Sequence, residues 1–268
     1  MSAGERDGPD ADLWRRLAAT TPARIGLGRA GAGLPTREVL RFGLAHAQAR
    51  DAVHAPMDAG RIARDVAALG LEPVEVASEA PDRATYLRRP DLGRRLTGES
   101  RDRLSALAVE PVDLAVVVAD GLSARAVHEG AASMLAAFRP HVERAGWRLA
   151  PVAVAVQARV ALGDAIGAAL RARAVVVLVG ERPGLSSPDS LGLYLTLGPR
   201  PGRTDAERNC ISNVRAAGLP HAVAAFKLAW LLGQAFARGL TGVALKDDSD
   251  RALGGPDAAA ALPSRPPA

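Results

Sequence analysis

Residues 113–127 read DLAVVVADGLSARAV: a continuous valine-rich run, a polar and glycine turn, then the start of a helical stretch. A run that is apolar on both faces is what a parallel strand needs when helices cover both sides of its sheet. The same grammar recurs in LAPVAVAVQARVALGD (149–164) and RAVVVLVGERPGLS (173–186). Between these runs, SARAVHEGAASMLAAFRPHVERAG (123–146) and ALGDAIGAALRARA (161–174) have helical length and spacing. The order β-α-β-α-β predicts an α/β protein with an open parallel sheet and right-handed crossovers. Two further runs, LGLYLTLG (191–198) and TGVALKD (241–247), are read as additional strands, with GLPHAVAAFKLAWLLGQAFARG (218–239) an amphipathic helix between them.

Upstream of Pro111 the pattern is helical. DADLWRRLAAT (10–20) sets Leu13, Trp14 and Leu17 at helical spacing, and PTREVLRFGLAHAQARDAVHA (35–55) carries Val39, Leu40, Phe42, Leu44 and Ala47 behind a Pro-Thr start. MDAGRIARDVAALGLEPVEV (57–76) repeats the pattern and stops near Gly70. No β-alternation stands out, so residues 11–108 are expected to form a helical N-terminal region and residues 109–249 the sheet domain. Leu13, Trp14 and Leu17 are expected to cover the chain's own core, with a docking helix as the alternative. The ends, 1–10 and 250–268, are rich in Pro, Gly, Ala and charge, which predicts mobile tails.

Composition excludes several classes. A chain of 268 residues with 48% apolar and 24% charged residues is globular and long enough for two modest domains. No apolar run reaches the roughly 20 residues that a bilayer crossing needs. The acidic start MSAGERDGPDADLW lacks the segments of a signal peptide, so a cytoplasmic protein with no membrane partner is expected. Cys210 is the only cysteine, which rules out an internal disulfide and any thiolate cluster. The net charge of +5 rests on arginines scattered among acids, and aromatics at 3% are too few for a base-stacking platform; nucleic acid is not an expected partner.

In an open α/β sheet, ligands bind outside the carboxyl ends of the strands. That rule selects ADGLS after the first run, QARVALGD after the second and GERPGLSS after the third. Glu181 is thereby held at a strand end over the crevice, although a solvated turn carboxylate is the plainer reading. Cys210, in RTDAERNCISNVRAAG, reads as a small buried hydrophobe near a helix capped by Asp205 or Asn209. The histidines at 46, 54, 128, 141 and 221 never stand three or four residues apart, so no metal site is expected. GLGRAG (26–31) has the spacing of a dinucleotide fingerprint, but no strand precedes it and the next helix starts only near Thr36; it reads as a connector. No self-contained catalytic set emerges, which favours a chain that binds a large cofactor or a partner.

TPARIGLGRAGAGLPTREVLRFGLAHAQARDAV, LRRPDLGRRL, ADGLSARAV, QARVALGDAIG, VVLVGERPGL and RNCISN follow one another in an order that resembles the small (light) subunits of adenosylcobalamin-dependent ethanolamine ammonia-lyase, over about residues 10 to 245. GERPGL and CISN carry most of the specificity; the two ends match no family motif. The resemblance implies a carbon-nitrogen lyase of ethanolamine degradation, working as a hetero-oligomer. Its reaction forms acetaldehyde and ammonia by radical chemistry after homolysis of the cobalt-carbon bond. It further implies that residues 109–249 are a Rossmann-like cobalamin-binding domain, while the large (heavy) subunit holds ethanolamine and the residues of the rearrangement. Carried over residue by residue, the cofactor contacts fall on Val160, Glu181 and Cys210, with no catalytic residue in this chain. The Asp-x-His-x-x-Gly sequence with which other cobalamin proteins replace the cofactor's own base is missing, so that base is expected to stay on cobalt. A bacterial microcompartment is a location the resemblance adds to the cytoplasm. The competing readings are a stand-alone nucleotide-binding α/β module and a purely structural partner subunit.

Overall fold

The computed structural model describes residues 9–253. Helices α1 (Pro9–Ala19), α2 (Thr36–His54) and α3 (Ala59–Ala68) lead, followed by strand β1 (Pro73–Ala77) and helices α4 (Arg83–Arg88) and α5 (Gly98–Leu107). Next come β2 (Val112–Ala119), α6 (Ala124–Ala145), β3 (Val152–Val156), α7 (Leu162–Ala169) and β4 (Ala172–Gly180). The last elements are β5 (Leu191–Leu197), β6 (Asn209–Val214), α8 (His221–Arg238) and α9 (Ser249–Leu253).

The strands form one six-stranded sheet in the order β1-β3-β2-β4-β5-β6. β1, β3, β2 and β4 pair in parallel, whereas β5 pairs antiparallel with both β4 and β6. The expected α/β class is present, and the parallel part is compatible with a Rossmann-like arrangement. The sheet is nevertheless mixed. A parallel pair needs a crossover, commonly a helix, and the 181–190 connection holds no helix, so the chain returns beside β4 in the opposite direction.

The valine-rich runs form strands because both of their faces are covered. Leu114, Val116 and Val118 of β2 join one buried cluster with α3, α6 and α8, while Ala115, Val117 and Ala119 join another with α5 and α7. β4 divides in the same way, Ala174, Val176 and Leu178 against Val175, Val177 and Val179. Each such leucine or valine contributes about 1.5–3 kcal/mol when fully buried. The long helix α6 starts where Ser123 Oγ accepts from the Ala126 amide at 3.2 Å and stops at Gly146, whose φ of +66° closes the last turn.

Four expectations need correction. Residues 73–77 lie in the region read as helical but form β1, an edge strand in which only Val74 and Val76 are buried; five residues with one covered face leave too short an alternation to recognise. Residues 241–247 are not a strand: Gly242–Ala244 is a 3-10 turn, pinned by Asn209, whose Oδ1 accepts from the Gly242 amide at 2.8 Å and whose Nδ2 donates to the Leu245 carbonyl at 2.9 Å. Cys210 is not beside a helix cap but within β6. Leu13, Trp14 and Leu17 do not cover the core; they are 51%, 47% and 41% exposed. Of the expected tails, 1–8 and 254–268 lie outside the described residues, while Pro9 and Asp10 belong to α1 and residues 250–253 to α9.

Candidate functional site

The carboxyl ends of β2, β3 and β4 open onto a crevice of about 430 Å³. Gly121 and Leu122 line it from the β2 exit, Arg159 and Val160 from the β3 exit, and Glu181 and Arg182 from the β4 exit, with Tyr86 and Tyr194 at its sides. The exits are locked together through Asp120, which is buried and accepts from the backbone amides of Gln157 at 3.0 Å and Ala158 at 2.9 Å. Arg83 pairs with the same carboxylate at 3.2 Å and donates to the Gly121 carbonyl at 2.9 Å and the Val53 carbonyl at 2.7 Å. Burial pushes the Asp120 carboxyl up, and these bonds and the Arg83 charge oppose that shift.

Tyr86 is wholly buried and donates its hydroxyl to the Ala158 carbonyl at 3.1 Å. The guanidinium of Arg83 lies 4.8 Å from its ring centre and that of Arg159 lies 4.3 Å away. Burial drives the Tyr86 hydroxyl well above the ordinary tyrosine range, so it stays a neutral donor.

Of the residues expected at the site, Val160 and Glu181 come together on this crevice. Glu181 is more than a solvated turn carboxylate. Its Oε2 accepts from Ser190 Oγ at 2.6 Å and from the Asn213 amide at 3.3 Å, and Oε1 takes part in neither bond. Gly192 gives that side chain its room, since a Cβ there would stand 3.0 Å from Oε1. Cys210 does not line the crevice; it is exposed on β6, opposite Tyr194 in the register of β5 and β6, with its Sγ 3.2 Å from Ser212 Oγ. Burial first, and the neighbouring Cys210 next, raise the Tyr194 hydroxyl.

Arg83, Tyr86, Asp120 and Arg159 were not singled out from the sequence. Asp120 and Arg159 stand inside ADGLS and QARV, so the strand-end rule brought the reading within one or two residues of them. Arg83 and Tyr86 come from α4, whose six residues carry no local signal. GLGRAG is a connector: Gly26, Gly28 and Gly31 all have positive φ, and α2 begins at Thr36. It nonetheless approaches the crevice loops, because Arg24 Nη2 donates to the Leu185 carbonyl at 3.1 Å.

Fold and crevice together define an α/β protein with a candidate ligand site at the carboxyl edge of its parallel strands. No helix among the described residues is long and apolar enough to cross a membrane. The chain belongs to the ethanolamine ammonia-lyase light chain family, whose sequence profile matches residues 11–246. The ethanolamine ammonia-lyase small subunit of Xanthomonas campestris pv. campestris is 56% identical over 254 residues, covering 94% of this chain and 93% of the relative. That of Bradyrhizobium diazoefficiens is 57% identical over 238 residues, covering 88% and 91%. That of Pseudomonas syringae pv. tomato is 51% identical over 252 residues, covering 93% and 88%.

Proposed function

We propose that this chain is the small subunit of an ethanolamine ammonia-lyase, a hetero-oligomer in which it helps hold adenosylcobalamin while the large subunit binds ethanolamine. The observation that carries the reading is the meeting of Val160 and Glu181 at one strand-end crevice in a chain of this family. The lining suits a cobalamin: apolar Leu122, Val160 and Val179 for a macrocycle, Glu181 for amide or nucleotide-tail donors, and Arg159 and Arg182 for an anionic group. A crevice of about 430 Å³ takes a drug-sized ligand, smaller than a whole corrinoid, which suits a cofactor clamped between two chains. Bound adenosylcobalamin supplies the radical chemistry that turns ethanolamine into acetaldehyde and ammonia. This chain's part is to bind and orient: Glu181 accepts through Oε1, Val160 presents apolar surface, and Cys210 backs the wall through Tyr194. On this reading the sheet, with β1 and α4 included, is the cofactor domain, and the exposed α1–α2 region faces the partner.

Replacing Glu181 by Ala removes one charge-assisted acceptor and should weaken cobalamin binding by the complex by about 1.5–3 kcal/mol, roughly 10- to 100-fold. Visible-absorbance titration of the co-purified subunits measures it. An unchanged affinity would remove Glu181 from the site. A chain that never joins a large partner and binds a simple nucleotide would instead be the stand-alone module, and a complex whose cobalamin never touches this chain would make it a structural partner.

Apolar side chains at the front of the molecule support a partner. Leu34, Val39, Leu40, Phe42 and Leu44 are all at least 46% exposed, and Leu40 reaches 67%. Trp14 and these residues belong to one region, since Trp14 packs on Gly26 and the Arg24 guanidinium lies 5.7 Å from the Phe42 ring centre. So many large apolar side chains left exposed on one short segment support an interface there. Leu40→Asp should leave the chain's own unfolding midpoint unchanged and weaken association with the large subunit by about 2 kcal/mol, roughly 30-fold, in sedimentation or pull-down titration. Full association at wild-type concentrations would move the interface elsewhere.

A further inference from the structure

We propose that Arg159 is an anion-binding residue, and that its guanidinium takes the phosphodiester of the cobalamin nucleotide loop. This rests on the cobalamin reading of the crevice and goes beyond it by naming which appendage of the cofactor a particular residue recognises.

The charges around the crevice are unevenly satisfied. Arg83 is neutralised by Asp120 at 3.2 Å and bonds the Gly121 and Val53 carbonyls, although its Nη2 is buried without a partner. Glu181 holds Ser190 and Asn213 through Oε2 alone, and its Oε1 takes part in neither bond. Arg159 differs in that it lines the crevice and has no carboxylate paired with it among the described residues. Its Nη2 reaches the Tyr86 carbonyl only at 3.4 Å, its Nε is buried without a partner, and it forms no ion pair among the described residues. A buried guanidinium N–H left unpaired costs stability, and a fixed cation at a partly desolvated surface without its counter-charge is a binding site for an anion.

The side chain is also held in place before any ligand arrives. Its backbone amide donates to the Gly93 carbonyl at 2.8 Å, and its guanidinium stacks 4.3 Å from the centre of the buried Tyr86 ring. Gly93 permits this close packing, since a Cβ there would lie 2.8 Å from Tyr86 Cε2 and 3.1 Å from Arg159 Cγ. Tyr86 is itself tied to the β3 exit by its hydroxyl. A planar guanidinium with fixed orientation suits two oxygens of one phosphate better than it suits a single amide carbonyl. Arg182, on the same crevice, adds positive charge. Of the groups a cobalamin carries around its corrin, the phosphodiester is the anion, whereas the side-chain amides are neutral.

The test uses the assembled hetero-oligomer and two corrinoids: hydroxocobalamin, and aquocobinamide, which lacks the nucleotide loop and its phosphate. Binding is read by visible absorbance and equilibrium dialysis, independently of turnover. Arg159→Met keeps an unbranched stem over Tyr86 and should lower hydroxocobalamin affinity roughly 10- to 100-fold while leaving aquocobinamide affinity unchanged. Arg159→Lys should recover part of the loss. Equal losses for both corrinoids would show that Arg159 merely shapes the crevice, and no loss for either would show that it faces no ligand; both overturn the proposal. Glu181→Ala, run alongside, separates the two levels. If it too leaves cobalamin binding intact, the crevice reading fails; if it weakens binding while Arg159→Met does not discriminate, only the anion subsite fails. Thermal unfolding of each variant identifies any loss that comes from misfolding, and in that case Arg159→Lys carries the comparison.

Discussion

Asp164→Ala should destabilise the protein by about 3–5 kcal/mol, the cost of leaving a buried charge without its partner. Asp164, on α7, and Arg208, just before β6, have side chains only 1% and 2% exposed. They meet in a two-pronged pair, Nη1 to Oδ1 and Nη2 to Oδ2, both at 2.7 Å. The remaining donors of Arg208 are used as well: Nη1 bonds Thr196 Oγ1 at 2.9 Å, Nη2 bonds the Arg203 carbonyl at 2.9 Å, and Nε reaches only the exposed Asp205 carboxylate, at 3.4 Å. The residue therefore joins α7 to β5 and to the start of β6, the strand that places Cys210 opposite Tyr194. Removing the carboxylate leaves the buried guanidinium with only the long contact to exposed Asp205 as a counter-charge, so the loss includes its desolvation and not just the pair's attraction. Urea denaturation followed by far-ultraviolet dichroism should show the midpoint falling with the slope unchanged. The double change Asp164→Leu with Arg208→Met, apolar and of similar bulk, should recover most of that stability. A single-variant loss below about 1 kcal/mol would mean that solvent replaces the missing partner.

What could be read from the sequence depended on how each segment is stabilised. β2, β3 and β4 announced themselves because two covered faces demand an unbroken apolar run, and Leu114 through Ala119 meet that demand residue by residue. β6 did not. Its buried positions are Ile211 and Val214, separated by polar Ser212 and Asn213, and it is a strand because β5 pairs with it, which no local pattern records. The site divides in the same way. Glu181 and Val160 were found by a rule about where strands end, which needs only the strands. Tyr86 and Arg83 enter from α4, far away in sequence, through the Tyr86 bond to Ala158 and the Arg83 pair with Asp120, and such contacts leave no trace in composition or spacing. Periodicity likewise identified the apolar stripe of Leu13, Trp14 and Leu17 but not where it lies; the stripe is half-exposed and does not pack into this chain's core.

Gly180→Ala should cost about 3 kcal/mol or more and, if the crevice holds cobalamin as proposed above, should reduce its binding even in the molecules that stay folded. Gly180 ends β4, and its backbone faces the β2 exit loop so closely that an added methyl would overlap the Ser123 carbonyl oxygen and stand 2.6 Å from that of Asp120. Both obstacles are backbone, so no side chain can swing aside to make room. The loop can only back away, and three bonds go with it. The Leu122 amide donates to the Gly180 carbonyl at 2.9 Å, Ser123 Oγ caps α6 through the Ala126 amide, and the same hydroxyl donates to the Pro188 carbonyl at 2.7 Å. Pro188 lies in the 181–190 loop, so Ser123 fixes the two crevice loops relative to each other. A displacement there moves Gly121 and Leu122, which line the crevice with Glu181, and so changes its shape. The expected result is a lowered urea midpoint together with a cobalamin affinity reduced by at least 10-fold when measured well below that midpoint. Leu135→Ala, a cavity mutation on α6 with a comparable cost of about 2–5 kcal/mol, supplies the control. If it lowers affinity as much as Gly180→Ala does, the effect on binding comes from general loss of stability and not from the shape that the glycine permits.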